Sequence, residues 1–397
     1  MAKVVDIVNF NADASCLSSK WWLKTLDGGS GSYFCKWLQT YIDTEKKVSL
    51  GIIGATVADI SSRNPEAISL INKHPEIFEI VLRPFAHDIA LLRKKESFKY
   101  NIEIGQTVLN NEFGGYTNYF LPPEFMLTNE QVEQLNKLGI EGVFINPNRF
   151  KKEIKERIPE FPYEIRGIFD GKLPCIPFKG ELTKSFLHGI HFFNAKKWNT
   201  TLKSSDFEYD FSWRDGESSF FLPDGNIREK AWLENESAEI QRVFLKDAIQ
   251  HLDITSSKNL LKDKHYRHYP VHSFTAWMKE FRMMGFIQRL FAIEGKFDSF
   301  SKLEKSVWLQ VINSDILSAI EKDSPRILIQ DSPDQNKTVE HTIWRSERGV
   351  EGEEFLAILE QQVNMTGIRT LSQNPNQFHL TKLISRIEYI DRLSLLN

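Results

Sequence analysis

The pattern of apolar and polar positions changes along the chain. Up to about residue 255, short apolar runs typical of buried parallel strands alternate with segments of helical periodicity. The runs that predict strands are 4–10, 48–55, 78–85, 142–146 and 173–178. The segments that predict helices are 33–41, 64–74, 102–110, 128–139 and 237–252. This alternation predicts an α/β fold with mainly parallel strands.

The remaining segments suggest how the chain is divided. Residues 11–32 are polar and include a Gly/Ser-rich stretch, which predicts a long loop. After residue 256 long helical patterns dominate, at 273–292, 302–322, 352–363 and 378–396, and a Pro/Asp/Ser-rich linker occupies 323–338. We therefore expect an α/β domain in residues 1–255 and a helical region in residues 256–397 that packs on it.

The most informative local pattern is NYFLPPEF at 118–125. It places the carboxyl group of Glu124 on a proline-stiffened loop after one predicted strand. A predicted helix follows, with Thr128 or Asn129 as its N-terminal cap. Catalytic side chains collect at this end of the strands in barrels of parallel strands. Glu124 is thus a candidate catalytic carboxylate, and the alternative is a carboxylate that stabilises the helix N-terminus.

Composition narrows the classes of function. The chain has 397 residues and a net charge of −3, so no basic excess points to nucleic acid or to an anionic membrane. No stretch approaches ~18 consecutive apolar residues, and the N-terminus resembles a first strand more than a signal peptide. Three cysteines without metal-ligand spacing favour reduced thiols in a cytoplasmic protein. Aromatic residues make up 12% of the chain; aromatic-rich clefts suit sugar rings, although most of these side chains belong in a core.

Several stretches resemble, in the same order, the motifs of glycoside hydrolase family 57. They are RPFAHDIALL at 83–92, NYFLPPEF at 118–125, LPDGN at 222–226, SFTAW at 273–277 and VINSD at 311–315. The resemblance implies a distorted (β/α)7-type barrel and an enzyme that cleaves or transfers a glycosyl group of an oligosaccharide or glycoside with retention. Two carboxylates carry such a reaction, one as nucleophile and one as acid/base. The matching positions here are Glu124 as nucleophile and Asp224 as acid/base.

Further residues receive candidate roles. Asp215, in WRDGE at 213–217, is a rival to Asp224 as acid/base, and a turn is the alternative role for Asp224. The substrate-binding candidates are Asn11, Asp13, Trp22, His87, Asp215, Trp277 and Asp315.

One departure from the family concerns the first strand. The family's His-Gln-Pro signature is replaced by NFNAD at 9–13, so Asn11 stands where a sugar-contacting histidine is expected. Asn11 and Asp13 can still form hydrogen bonds with hydroxyl or amide groups. This change favours a substrate other than a standard α-1,4-glucan. It also supports the alternative of a non-hydrolytic sugar-binding or regulatory protein on the same barrel.

Metal and nucleotide chemistry have less support in the sequence. Related barrels of the deacetylase type need an Asp and two His at helical spacing, and His87 has no such partner. His265, His268 and His272 are closely spaced, but Pro270 would interrupt a helix there. Gly-rich nucleotide motifs are absent. We expect no metal and no cofactor, and a metal-dependent carbohydrate deacetylase is the weakest alternative. Self-association through the C-terminal helices is a further expectation.

Overall fold

A computed structural model describes most of the chain. The described residues are 1–11, 19–150, 152–182, 193–221, 225–252, 254, 281–313, 343–363 and 377–393.

The strands and helices lie in the order expected for an α/β protein. The strands are β1 Ala2–Phe10, β2 Val48–Ile52, β3 Phe78–Ile80, β4 Tyr119–Phe120, β5 Gly142–Ile145, β6 Tyr163–Arg166, β7 Lys172–Pro177, β8 Tyr209–Asp215 and β9 Ile240–Arg242. The helices are α1 Ser19–Leu26, α2 Tyr33–Asp43, α3 Gly54–Arg63, α4 Pro65–Lys73, α5 Lys95–Phe113, α6 Asn129–Lys137, α7 Lys152–Lys155, α8 Ala195–Lys203, α9 Ser218–Phe221, α10 Gly225–Glu234, α11 Leu245–Ile249, α12 Phe281–Glu294, α13 Lys302–Val311, α14 Ile343–Gln362 and α15 Gln377–Leu393.

Seven of these strands form a closed ring of parallel neighbours. β1 pairs in parallel with β2 and β8, β2 with β3, and β5 with both β4 and β7. Backbone hydrogen bonds from Leu82 to Thr117 (3.2 Å) and from Leu121 to Leu82 (3.0 Å) join the β3 and β4 segments. A bond from Lys179 to Phe211 (2.8 Å) joins β7 to β8. The expected barrel of parallel strands is therefore confirmed, with β6 as an antiparallel addition to β7.

The alternation of side chains along β1 explains how the barrel is filled. Val5 and Ile7 point into a cluster inside the ring, whereas Val4 and Val8 pack under the surrounding helices. Aromatic rings supply much of the inner volume, and those of Phe144 and Phe178 stack with centroids 5.1 Å apart. Below them Glu79 accepts hydrogen bonds from the backbone amides of Leu245 and Lys246 at the start of α11 (2.6 and 2.8 Å). A carboxylate at a helix N-terminus thus closes this end of the barrel.

The described C-terminal helices pack against the barrel helices through buried ion pairs. Arg386 of α15 donates two hydrogen bonds to the Asp59 carboxylate of α3, from Nε at 3.0 Å and from Nη2 at 2.6 Å. Glu294 of α12 accepts the backbone N–H of Lys94 at 2.8 Å and lies 3.4 Å from the Arg93 guanidinium. The proposed boundary near residue 255 adjoins residues 255–280, which lie outside the described residues, so it stays a prediction.

Two expectations about local structure were wrong. Residues 237–252 form strand β9 and the short helix α11, not one helix, because β9 pairs with β1 and Arg242 reaches Asp6 (2.7 Å) and Glu236 (3.0 Å). The polar stretch 11–32 contains helix α1, because Trp22 is drawn into the core beside Phe34. In both cases contacts distant in sequence decide the local structure. In the part of the chain described here, no helix is long and apolar enough to cross a membrane.

The Arg386–Asp59 pair gives a test of how the C-terminal helix is held. Replacing Arg386 with Met leaves the Asp59 carboxylate buried without its main partner, and we expect the free energy of unfolding to fall by about 3 kcal/mol. Chemical denaturation measures this change. The matched control is the double variant Arg386→Met/Asp59→Leu, which removes both charges and should recover part of the loss. Equal stability of wild type and Arg386→Met would contradict this docking.

Candidate active site

The loop that follows β4 presents Glu124 at the carboxyl end of the barrel. Pro122 and Pro123 restrict the backbone before it, and residues Pro123–Phe125 form a single 3-10 turn. Helix α6 then begins with Thr128 as its cap. The Thr128 hydroxyl accepts the amide of Gln131 (3.1 Å), and the Gln131 side chain accepts the amide of Thr128 (2.9 Å). Both ends of the loop are therefore fixed.

The backbone of this loop is strained at Glu124. Glu124 and Phe125 both adopt left-handed conformations, with φ of 50° and 54°. Such conformations cost of order 1–3 kcal/mol each in non-glycine residues and persist only where the surroundings enforce them. The Phe125 ring supplies that enforcement, because it is buried against Phe178 and Trp213 with centroids 5.7 and 5.2 Å away. Glu124 is thus held in one orientation.

Two cations lie near the Glu124 carboxyl group. Arg149, in the turn after β5, places its Nη2 atom 3.5 Å from Glu124 Oε2. Arg83, which follows β3, is fully buried, and its Nη1 donates a hydrogen bond to the Leu121 carbonyl (2.8 Å). Burial lowers the pKa of Arg83 to about 9, and the charges of Glu217, Glu124 and Asp215 oppose that shift. Arg83 is therefore a cation at neutral pH, among three carboxyl groups.

The guanidinium of Arg83 is only partly satisfied. Its Nε and Nη2 atoms are buried and have no hydrogen-bond partner among the described residues. Gly51 on β2 makes room for the neighbouring Leu121, because a Cβ atom there would lie 2.8 Å from a Leu121 methyl group, whereas its distance of 3.7 Å to Arg83 Cδ would be an ordinary contact. The carboxyl end of the barrel, where these side chains meet, is called the mouth below. Arg83 lies at its base and interacts with the carboxyl groups mainly through its charge.

Asn11 links the ends of β1, β3 and β8. Its amide Nδ2 lies 3.3 Å from His87 Nε2, its Oδ1 accepts from Asn9 (2.5 Å), and its backbone N–H donates to Glu217 Oε1 (2.5 Å). Burial, together with the charges of Arg83 and Arg149, lowers the pKa of His87 well below its usual value. His87 is therefore neutral, and in this amide orientation its Nε2 accepts the Asn11 proton.

The carboxyl end of β8 supplies two more acidic residues. Asp215 is the last residue of the strand and pairs in register with Asn9 of β1. Gly216 follows, and a Cβ atom there would lie 2.2 Å from the Phe10 ring, so only glycine fits this close approach. Glu217 is then directed inward and is 2% exposed. The packing of Gly216 against Phe10 thus fixes the backbone between Asp215 and Glu217.

Glu217 is protonated at neutral pH. Burial, followed by the charge of Asp215, raises its pKa to about 8, against the Asn11 hydrogen bond and the charge of Arg83. Its Oε2 atom is buried and lacks a hydrogen-bond partner in the described part of the chain. The mouth therefore has Glu124 beside Arg149 on one side and a buried carboxyl group with a raised pKa on the other. A shifted pKa of this kind is typical of acid–base sites.

The structure brings together only some of the residues predicted from the sequence. Glu124, Asp215, His87 and Asn11 all lie at the carboxyl end of the barrel. Trp22 requires a correction: it has no exposed surface and packs with Phe34 and Phe220, so it is a core residue and not a sugar platform. The candidates that lie outside the described residues are Asp13, Asp224, Trp277 and Asp315.

Three residues of this mouth had no predicted role. Arg83 lies inside the RPFAHDIALL motif and Glu217 inside WRDGE, but neither was singled out. An acidic residue two positions after Asp215 at a strand end was an available signal for Glu217. Arg149 carried none, because a basic residue after a strand is usually solvated.

Two other features lie apart from this mouth. A cleft of ≈ 690 Å³ runs between α8 and α10, and its lining includes Lys196, Lys203, Arg228 and Trp232 but none of the mouth residues. Within the described ranges, no group of three or more His, Cys, Asp or Glu side chains is placed to hold a metal ion.

A model of a known protein family matches most of the chain, including the mouth of the barrel. The model described as glycosyl hydrolase family 57 matches residues 23–283, more than half of the chain. That range contains Arg83, His87, Glu124, Asp215 and Glu217. A search of curated proteins gives no match.

Solved structures show the same fold at low sequence identity. The 4-alpha-glucanotransferase from Thermococcus litoralis is 16% identical with a TM-score of 0.62, over 80% of this chain and 56% of that one. The GH57-type branching enzyme from Pyrococcus horikoshii is 11% identical with a TM-score of 0.58, over 99% and 96%. The alpha-amylase AmyC from Thermotoga maritima is 10% identical with a TM-score of 0.55, over 99% and 97%. This chain thus spans little more than half the length of the glucanotransferase.

The protonation of Glu217 predicts a pH-dependent stability effect. Its pKa in the folded state, about 8, lies above the ordinary value of 4.5, so its contribution to stability is present below pH 4.5 and is lost as pH rises through 8. Glu217→Gln removes this dependence. The melting temperature of the variant relative to wild type should therefore increase between pH 5 and pH 8.5, as measured by differential scanning calorimetry. The exposed control Glu160→Gln should show a constant difference; a constant difference for Glu217→Gln would refute the protonated state.

Proposed function

Because the chain belongs to glycosyl hydrolase family 57, we propose that it cleaves or transfers a glycosyl group of an oligosaccharide or glycoside, with retention of anomeric configuration. The observation that carries this proposal is the position of Glu124 and Asp215 at one barrel mouth, around the buried guanidinium of Arg83. The similar structures are those of a glucanotransferase, a branching enzyme and an amylase, which fits this class of reaction.

Glu124 is the proposed nucleophile. A carboxylate that attacks an anomeric carbon must be ionised and must approach in a fixed direction. Arg149 and Arg83 place positive charge beside it, and the strained turn at Glu124 and Phe125 fixes its direction. These two features support the role better than the alternative of a helix-end carboxylate, because the cap of α6 is supplied by Thr128 instead.

Asp215 is the acid/base that the described residues favour. It ends β8 beside β1, whereas Asp224, the other candidate, lies outside the described residues. In the first step Asp215 gives its proton to the leaving oxygen as Glu124 bonds to the anomeric carbon. In the second step Asp215 takes a proton from water or from a sugar hydroxyl, which then displaces Glu124.

The substitution at Asn11 bears on the substrate. The Asn11 amide is buried and bonded to Asn9 and His87, so a sugar beside it meets a small neutral group in place of an imidazole. We therefore propose a substrate other than a standard α-1,4-glucan. The alternative of a sugar-binding protein without turnover is an outcome of the first test below.

The first test concerns the nucleophile. Glu124→Gln keeps the shape of the side chain but cannot attack, so turnover of an aryl glycoside or of a labelled oligosaccharide should fall by at least about 10³-fold. Calorimetric binding of the same sugar should change little. The matched control is Glu130→Gln, at the start of α6, which should keep full activity. Near-normal turnover in Glu124→Gln would exclude the retaining mechanism; binding without turnover in wild type would favour the sugar-binding alternative.

A second test separates the two acid/base candidates. Asp215→Asn and Asp224→Asn are compared on two aryl glycosides, one with a good and one with a poor leaving group. The true acid/base variant should lose far more activity on the poor leaving group, because only that departure needs protonation. We expect this pattern for Asp215→Asn. Its appearance in Asp224→Asn alone would transfer the role to Asp224.

A third test concerns metal dependence. The sequence lacks a first-strand His-x-Asp motif and paired histidines, so activity should survive dialysis against a chelator, and elemental analysis should find no stoichiometric transition metal. Loss of activity on chelation, with recovery on adding Zn²⁺, would favour the deacetylase alternative.

A further inference from the structure

We propose that Glu217 is the proton-holding partner of Asp215: it keeps a proton at the barrel mouth between turnovers and passes it to Asp215 for delivery to the leaving group. The proposal rests on the proposed function and adds to it a third carboxyl group with a role of its own. Glu217 does not touch the substrate in this scheme, so it is a positioning residue.

The geometry around Glu217 leaves one carboxyl oxygen free to carry the proton. Its Oε1 is occupied by the backbone N–H of Asn11 at 2.5 Å. Its Oε2 is buried and has no hydrogen-bond partner among the described residues. A carboxyl group fixed at one oxygen carries its proton on the other, and in this scheme one water relays that proton to the Asp215 carboxylate, which does not contact Oε2 directly.

The charges around Glu217 favour one proton shared by two carboxyl groups. Asp215 acts on it from its own strand end, Arg83 from the segment after β3, and Asn11 contributes its N–H from the segment after β1. Burial and the charge of Asp215 raise the pKa of Glu217, and the Asn11 hydrogen bond and the charge of Arg83 oppose this shift only in part. Like charges placed close together titrate in separate steps, and the intermediate state holds a single proton.

The proton balance of the cycle follows. The proton first moves from Glu217 to Asp215, which leaves Glu217 anionic. Asp215 then protonates the leaving oxygen as Glu124 forms the glycosyl ester, and both Asp215 and Glu217 are anionic in that intermediate. The negative charge of Glu217 makes Asp215 a stronger base for the incoming water or sugar hydroxyl. After Asp215 accepts that proton and Glu124 departs, the proton returns to Glu217.

The first experiment needs no substrate. Infrared difference spectra of the full chain, recorded between pH 5 and pH 9.5, follow the C=O stretch of protonated carboxyl groups. We expect a band that is lost near pH 8 in wild type and is missing in Glu217→Gln. In Asp215→Asn the same band should be lost at a pH about one unit lower or more, because the neighbouring charge is gone. A band unaffected by Asp215→Asn, or unchanged in Glu217→Gln, would overturn the proposal even if the enzyme is active.

The second experiment uses turnover of an aryl glycoside. Glu217→Gln preserves the acceptor for the Asn11 N–H but holds no exchangeable carboxyl proton. We expect the alkaline limb of kcat/KM to move at least about one pH unit towards acid. The control Asp210→Asn removes a carboxyl from the same strand, bonded to Lys179 and Ser205, and should leave the limb in place. A uniform loss of activity in Glu217→Gln, with an unmoved limb, would reduce Glu217 to a structural role; if no glycoside is turned over, the infrared result decides.

Discussion

The buried guanidinium of Arg83 is the constraint on which the rest of the mouth depends. Three carboxyl groups converge on it at one end of the barrel, and their charges oppose the effect of burial on its pKa. Arg83 places its charge under the site and donates a hydrogen bond to the Leu121 carbonyl, just before the loop of Glu124. One side chain therefore sets both the local potential and the position of the proposed nucleophile. The absence of a side chain at Gly51 makes room for Leu121, whose carbonyl binds Arg83, and this ties the electrostatics of the site to the packing of β2.

Asn11 has a corresponding role for geometry. It binds Asn9 on its own strand segment, His87 beyond β3 and Glu217 beyond β8, so three strand ends are held by one residue. An imidazole at this position would be larger and could carry charge next to Arg83. The small neutral amide avoids that conflict, since burial and the two arginines already keep His87 uncharged. The departure from the family's first-strand motif is thus compatible with hydrogen bonds that join these three strand ends.

Periodicity alone was enough to predict the elements whose environment is uniform. The ends of β1, β5, α2 and α6 lie within two residues of the expected positions. In these elements the order of apolar and polar residues in the local sequence matches the order of buried and exposed positions. Residues 237–252 were mispredicted because an apolar pattern cannot show that Arg242 will be drawn to Asp6. Trp22 was misassigned for a similar reason, as its partner Phe220 is far away along the chain.

The same distinction between local patterns and distant contacts applies to the residues of the site. Glu124 was predictable because its prolines and flanking elements are neighbours in sequence, and Asp215 because it shares an Asp-Gly pair with Asp224. The role of Arg83 was not predictable, because it arises only when the ends of separate strands meet.

Two features at the mouth of the barrel lower the stability of the fold and serve the proposed function. The left-handed turn at Glu124 and Phe125 and the buried carboxyl of Glu217 are each unfavourable on their own. Both lie at the mouth, and both are held by aromatic packing, through Phe125 on one side and Phe10 against Gly216 on the other. A Phe-rich barrel interior can sustain this, because each ring buries a large apolar area. The aromatic composition that first suggested sugar stacking therefore has a second explanation: it holds two carboxyl groups in positions that they would not otherwise adopt.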